Sequence, residues 1–558
     1  MQQYEMFELT LSGPPCTGNQ AQVDVTATFS WNQAGEKKMQ CVSGFYDGTT
    51  EKTQPGTETG IYKVRFLPMQ PGSYHYLVKG AVQAEGTVQC SPAQGKEKGH
   101  GPVRAVETHF VYTDGSPYYP FGTTVYALAH QEDALVEQTI DTLANAPFNK
   151  IRMCVFPKHY DFNHNEPPFY AFQRKAGCGE IPVTQMMERD LWDVTRPDVR
   201  FWHRMEEILE KIFALGIEVD LILFHPYDRW GFSQLTMQEN EIYLDYLLRR
   251  LSAYPQIWWS MANEYDLMGA RKAEDWKILE DWITEHDPVH HLLSNHNCFR
   301  FYDFTHEKIT HCCLQTKLVS MADQFVNRYH KPVIYDEMCY EGNLTQNWGN
   351  LSAFELVNRF WCVCAKGCYG THGETFSSED DILWWARGGT LKGESSARIG
   401  FLKDILYSLP EPLTPDTPRM TMLQENIQGH SLSPETAGQF PKRAETFLSA
   451  FAAMDEADRM LLAMTEPEFS GHAGEKAYLH YYARTCPVKV QLALPIGKSY
   501  QIELLDAWNM TEVVLPGKAV AQAAETTGFQ PDLAAQGLGL VDVYLPGREA
   551  MAVLAREA

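Results

Sequence analysis

Long apolar runs are missing from this sequence of 558 residues. No stretch approaches the roughly 18 apolar residues that a membrane span requires. The opening, MQQYEMFELTLSGPP, has neither a basic segment nor an apolar one behind it, so no secretory signal is visible. Positive charge is also short: 47 Lys and Arg against 71 Asp and Glu leave a net charge of −24. Nucleic acid and anionic membranes both need a positive field, and no basic arm supplies one. The 13 cysteines are odd in number and scattered. HCC at 311–313 and CVC at 362–364 lack the paired spacing of a zinc site, which points to buried, reduced thiols and a cytoplasmic setting. A processed secreted form stays open. No glycine fingerprint for a dinucleotide follows the first strand of the central region, and RGGTLKGES (387–395) does not fit the phosphate-loop pattern. Neither a cofactor nor a metal is expected.

What is present is a long chain with ordinary hydrophobic content, enough for about three domains. Residues 1–100 read as β: QVDVTATFSW, IYKVRFLP and SYHYLVKG alternate and are separated by turn residues. An immunoglobulin-like sandwich fits them. The Gly- and Lys-rich SPAQGKEKGHGPV (91–103) reads as a linker. From 104 to 410 the texture changes. YPFGTTVYA, KIRMCVF, IEVDLILFH, IWWSMANE, HLLSNH, ITHCCLQ, PVIYDE and GCYGTHGE are candidate strands. Between them lie helical stretches at 131–146, 198–215, 238–253, 273–286, 318–330 and 351–366, with another at 396–407. This alternation predicts an α/β fold, a (β/α)8 TIM barrel, with a doubly wound sheet as the alternative. The region 411–558 has a helical interval near 440–463 and then the strand-like KAYLHYYA, VKVQLALP, SYQIELLDAW and LVDVYLPG. These predict a C-terminal β-sandwich packed on the barrel.

In such a barrel the chemistry sits at the C-terminal ends of the strands. The fourth strand runs into Asn263-Glu264 and the seventh into Asp336-Glu337. Cleaving a glycosidic bond needs two carboxyl groups facing each other across it. One must keep its proton for the leaving oxygen, and the other must be ionised to attack the anomeric carbon. A single strand-end glutamate is often a structural ion pair. A pair on opposed strands, one preceded by Asn, is far more specific.

These residues resemble the clan A glycoside hydrolases. The resemblance is closest to the apiosidase-like and cellulase-like branch, whose members carry an N-terminal immunoglobulin-like domain and a C-terminal β domain. YPFGTTVYAL, FHPYDRWGF, GTHGETF and WWARGGTLKGESSARIGFL add to the likeness, which spans essentially the whole chain. It implies a retaining mechanism with Glu264 as acid/base and Glu337 as nucleophile. Asn263 would bond the hydroxyl next to the anomeric carbon, and Arg152 would hold the nucleophile ionised. Many clan members orient the nucleophile with a Tyr or His on strand six; here Gln315 or His311 stands nearest that position.

Other strand-end residues are candidate hydroxyl ligands: His225, Tyr227, Asp228 and Trp230 after strand three, Asn295 and His296 on strand five, His372 and Glu374 on strand eight. For each the alternative is a satisfied structural residue, and Glu374 rivals Glu337 as nucleophile. Trp384 or Trp385 could stack on a sugar face or pack the rim. Long loops after strands two and eight suggest a pocket and exo action on a small glycoside or oligosaccharide. The expected partner is thus carbohydrate, not nucleic acid or membrane, and homo-oligomerisation stays open. Two other readings compete: a carbohydrate-binding barrel without turnover, and a barrel isomerase or lyase. Both glutamates argue against the first, and Asn263-Glu264 is unexplained by the second.

Overall fold

A computed structural model describes the chain except residues 51–57, 95–98, 179–190, 417–449, 451–452, 456, 459–460, 462–468, 524–532 and 534–535. The expected helical interval near 440–463 lies mostly outside the described residues, and the expected linker partly so.

Eight parallel strands form the central sheet: β1 (Phe121–Thr124), β2 (Lys150–Cys154), β3 (Glu218–Phe224), β4 (Ile257–Ala262), β5 (Leu293–Ser294), β6 (Cys312–Gln315), β7 (Val333–Glu337) and β8 (Tyr369–His372). Their order is β5-β4-β3-β2-β1-β8-β7-β6. A parallel bridge between His296 and Cys313 joins the two ends and closes the barrel. All eight expected strands are there. Helices follow where the apolar periodicity placed them: α1 (Asp133–Ala144), α2 (Val199–Ala214), α3 (Met237–Leu251), α4 (Ala273–His286), α5 (Ala322–Tyr329) and α6 (Ala353–Ala365); the single turn α7 (Trp384–Arg387) falls in what was expected to be loop, and α8 (Ser395–Tyr407) again follows the periodicity. Local signals set their starts. The Thr236 side chain caps α3 in a reciprocal box with Glu239, and Ser352 caps α6.

The barrel interior is charged as well as apolar. The Lys150 ammonium bonds Asp220 at 2.9 Å and Asp336 at 2.7 Å, and Arg152 Nε lies 3.3 Å from Asp220. Two cations thus face two carboxylates in a dry layer, where unpaired charge would be prohibitive. The neighbouring cations hold Asp336 far below the usual carboxylate range despite its burial. A three-stranded antiparallel sheet (Val103–Val106, His109–Tyr112, Pro117–Tyr118) plugs the lower end, with Phe110 against Trp258 and Tyr369.

The N-terminal region pairs a three-stranded and a four-stranded antiparallel sheet, with Phe29 stacked on Phe66 in their shared core. It is tied to the barrel by buried ions. Arg65 bonds Glu206 of α2 at 2.6 Å, and Arg250 of α3 bonds Glu206 at 2.8 Å and Asp47 at 2.7 Å. The C-terminal region is antiparallel too, with a seven-stranded sheet and a strand pair. Its strands pack on α6, where the Tyr481 hydroxyl donates to Asn358, and Arg398 of α8 lies 3.8 Å over Trp508. Among the described residues no helix is long and apolar enough to cross a membrane.

Candidate active site

The site forms where β4 and β7 end. β4 stops at Ala262 because Glu264 turns into the left-handed region, at φ 58° and ψ 57°. A non-glycine residue there stores strain of about 1–3 kcal/mol, tolerated where the surroundings over-determine it. Here the Glu264 N–H donates to His296 Nδ1 at 3.4 Å, and the Asn263 N–H donates to the Phe224 carbonyl at 2.9 Å.

Each glutamate receives a phenol. The Tyr126 hydroxyl donates to Glu337 and lies 2.9 Å from Asn263 Oδ1, while the Tyr227 hydroxyl donates to Glu264. Gln315 Nε2 donates to the other Glu264 oxygen at 3.3 Å. Glu337 also has Arg152 and His296 Nε2 each at 3.8 Å. Burial and the Glu264 charge push the Glu337 carboxyl up; Arg152, the Tyr126 bond and Lys158 oppose them. His296 is neutral, since burial and the nearby Arg152 hold it well below its usual pKa. Its Nδ1 accepts from Glu264, so its Nε2–H faces Glu337.

An aromatic wall surrounds the pair. Trp385 meets Tyr126 at 5.4 Å, Tyr160 at 5.4 Å, Tyr340 at 5.5 Å and Trp348 at 5.0 Å between ring centres. Gly373 has no side chain to obstruct Tyr340, whose ring would lie 2.6 Å from a Cβ there. Several buried polar atoms make no hydrogen bond within the protein, Asn263 Nδ2 and the Arg152 Nη1 and Nη2 among them. Buried donors without partners are costly unless a ligand or water meets them.

Of the expected site residues, Glu264, Glu337, Asn263, Arg152, Tyr227, His296 and Gln315 converge here. Gln315 addresses Glu264, whereas strand six was expected to orient the nucleophile; Tyr126 from β1 contacts Glu337 instead. His311 lies at the barrel base against Phe110 and Trp258. His225 is buried beside the site and bonds the Phe156 carbonyl at 3.1 Å; burial lowers its pKa to about 3.

The others are turned away. Asp228 accepts the backbone N–H groups of Trp230, Gly231 and Ser233, so it builds the loop. Trp230 is fully buried in that loop, with its indole on Glu166. Asn295 faces the helix layer beside Glu280 and Tyr302. His372 is on the outer face of the barrel wall, stacked on Phe148 and bonded to Thr123. Trp384 is beside it, with its indole on Thr123 Oγ1 at 2.8 Å. Glu374 is buried behind β8, accepts from the Lys392 N–H and pairs along the chain with Glu341, so it does not face Glu264. For Asn295 and His372 the cause is the two-residue alternation of a strand. Asn295 is next to His296, and His372 next to Thr371, which points inward and bonds Asp336.

Tyr126, Tyr160, Lys158 and Tyr340 were not singled out from sequence. Tyr126 and Lys158 both lie a few residues past a strand end, so the strand-end rule could have found them.

Similarity to known proteins completes the picture. Residues 105–410, more than half of the chain, match the family model described as the apiosidase-like catalytic domain. Residues 1–80 and 467–556 match two models described as domains of unknown function. The chain also resembles a Bacteroides vulgatus ATCC 8482 protein provisionally termed a glycoside hydrolase. Identity is 30%, coverage is 100% of this chain and 99% of that one, and the TM-score is 0.80. A glycoside hydrolase family 5 protein from the same organism shares the fold at 14% identity and a TM-score of 0.52, covering 82% of this chain and 93% of its own. Another structure named a glycoside hydrolase does so at 12% identity and 0.53, with 82% and 97% covered. No curated protein matches the sequence.

Proposed function

Because the chain belongs to the apiosidase-like family, we propose that it is a retaining glycoside hydrolase with Glu264 as acid/base and Glu337 as nucleophile. The observation that carries this reading is the pairing of two largely buried carboxylates at the ends of β4 and β7, each held by its own phenol, with Tyr126 also reaching Asn263. In the first step Glu337 attacks the anomeric carbon while Glu264 gives its proton to the leaving oxygen. The glycosidic C–O bond breaks and a glycosyl ester forms. In the second step Glu264, now a carboxylate, takes a proton from water. That water attacks the anomeric carbon, and Glu337 departs as carboxylate.

Asn263 Nδ2, without a protein partner, would bond the hydroxyl beside the anomeric carbon, and Trp385 would offer a face to the sugar. The aromatic wall favours a closed pocket and exo action on a small glycoside. The family description makes an apioside the first candidate, with xylosides beside it. All 13 cysteines are free thiols, which fits a reducing, cytoplasmic compartment.

The test is a screen of aryl glycosides, followed by Glu337→Gly with azide on the best substrate. Turnover should be lost and partly restored by azide, giving a glycosyl azide of inverted anomeric configuration. Full activity in Glu337→Gln would sink the assignment. For Glu264→Ala, activity should survive best on good leaving groups, and a uniform loss would count against the acid role.

A further inference from the structure

Lys158 lies four residues past β2 and is 1% exposed. Its carbonyl is pinned by Asn163 Nδ2 at 2.7 Å, which fixes the turn of the chain here. The ammonium lies 3.5 Å from the ring centre of Tyr126, 4.3 Å from Tyr227, 4.7 Å from Tyr160 and 5.5 Å from Trp385. Among the described residues it makes no hydrogen bond and no ion pair within 4.0 Å. A cation held almost wholly out of water by ring faces alone is an unusual thing to keep. Each face contributes about 2 kcal/mol at best, far less than losing water costs. Something nearby must balance the charge.

The charges around it can be counted. Below, Lys150 and Arg152 face Asp220 and Asp336, two against two. Above, what is left is Glu264 and Glu337; in the proposed resting state Glu264 holds the proton and Glu337 carries the one negative charge. The other titratable groups in reach are neutral: His225 and His296 are held deprotonated by burial, and burial keeps the Cys154 and Cys298 thiols and the Tyr126, Tyr160, Tyr227 and Tyr340 phenols protonated. Lys158 is therefore the counter-charge of the pair. The two rings it approaches most closely are the two phenols that hold the glutamates. A cation on a phenol's face withdraws electron density from the ring and makes its O–H a stronger donor.

We propose that Lys158 is a positioning residue whose ammonium serves both glutamates in turn, acting through Tyr126 on Glu337 and through Tyr227 on Glu264. The inference rests on the assignment of those glutamates as nucleophile and acid/base. Before the first step the negative charge is on Glu337; once the ester has formed it is on Glu264. A cation over both phenols need not move as the charge changes place, so no reorganisation is required between the two steps.

The test compares kcat/KM against pH for the whole chain and for Lys158→Met, which keeps length and removes charge, on whichever aryl glycoside is turned over best. Loss of the cation makes both carboxylates harder to form. Both limbs of the profile should therefore move to higher pH, by about one unit. Lys158→Arg retains the charge, and its limbs should stay near those of the parent even if kcat falls. A folded Lys158→Met with unmoved limbs overturns the proposal, whether kcat falls or not. So does a rise in KM alone, which would make the ammonium a plain substrate anchor, and so does an Arg variant whose limbs move as far as those of Met. Glu264→Gln and Glu337→Gln are assayed alongside. If they retain turnover, the assignment of the pair fails; if they are dead while the Met profile is unmoved, only the role of Lys158 falls.

Discussion

Replacing Tyr126 by Phe removes one hydroxyl from the centre of the site and little else. The ring is fully buried, touches Trp385 edge-on and supports the Lys158 ammonium, and Phe preserves those contacts. The lost hydroxyl donates to the Glu337 carboxylate and lies 2.9 Å from Asn263. A hydrogen bond to a charged group contributes about 1.5–3 kcal/mol. At 1.4 kcal/mol per tenfold, kcat/KM should fall about 10- to 100-fold if the bond persists to the transition state. The bond favours the ionised form of Glu337, so its loss raises the carboxyl pKa. By the relation of 1.36 kcal/mol per unit, the acidic limb should move up by about one to two units. Activity at low pH should suffer most. The assay is initial rate against pH on an aryl glycoside, with thermal unfolding as a control. An unchanged rate and limb would show that Tyr126 does not tune Glu337. A lower rate with the limb in place would move its role to Asn263 or the sugar.

Tyr227→Phe should act on the other arm, raising the basic limb through Glu264 and leaving the acidic one in place. Trp385→Ala should raise KM, whereas Trp384→Phe should leave KM alone and cost about 1 kcal/mol of stability through the lost Thr123 bond, read by urea unfolding. In the buried network between the N-terminal sheets and α2 and α3, Arg250→Met leaves Asp47 and Glu206 short of a partner. Stability should fall by about 3–5 kcal/mol, with kcat at 25 °C unchanged. That network also predicts an acid limit. Neighbouring cations hold Asp47 and Glu206 below their usual pKa. Depressed carboxylates contribute stability above the unfolded pKa near 4, which is lost as pH falls through the lower folded values. Arg250→Met should therefore show a flatter melting-temperature profile below pH 4 than the parent.

Much of the architecture was legible in the sequence, because helices and parallel strands write different periods. β7 reads as PVIYDE, a short apolar run ending in acids, and α2 as an amphipathic stretch closed by its own glycine. The closure of the barrel was not legible. It rests on the bridge between His296 and Cys313 and on neighbouring hydrogen bonds such as Ser294 to the His311 carbonyl, between segments unrelated in sequence. Nor was the plug at its base, since Phe110 meets Trp258 and Tyr369 only after the sheet has curved.

For the site, sequence alone identified where side chains leave the strands. Asn263-Glu264 and Glu337 stand at the ends of buried runs, and the chemistry of two carboxyl groups could be read from that. Which face each neighbour occupies was decided by the tertiary structure. A strand turns every second side chain to the opposite side, so one residue separates His296, beside Glu337, from Asn295 in the helix layer. Trp385 in the aromatic wall and Trp384 behind β1 are neighbours too, but on the helical turn α7, where successive side chains leave in different directions. Lys158 is the extreme case. In sequence it is one lysine in a loop, and only the convergence of four rings from separate segments makes it a buried cation between two glutamates.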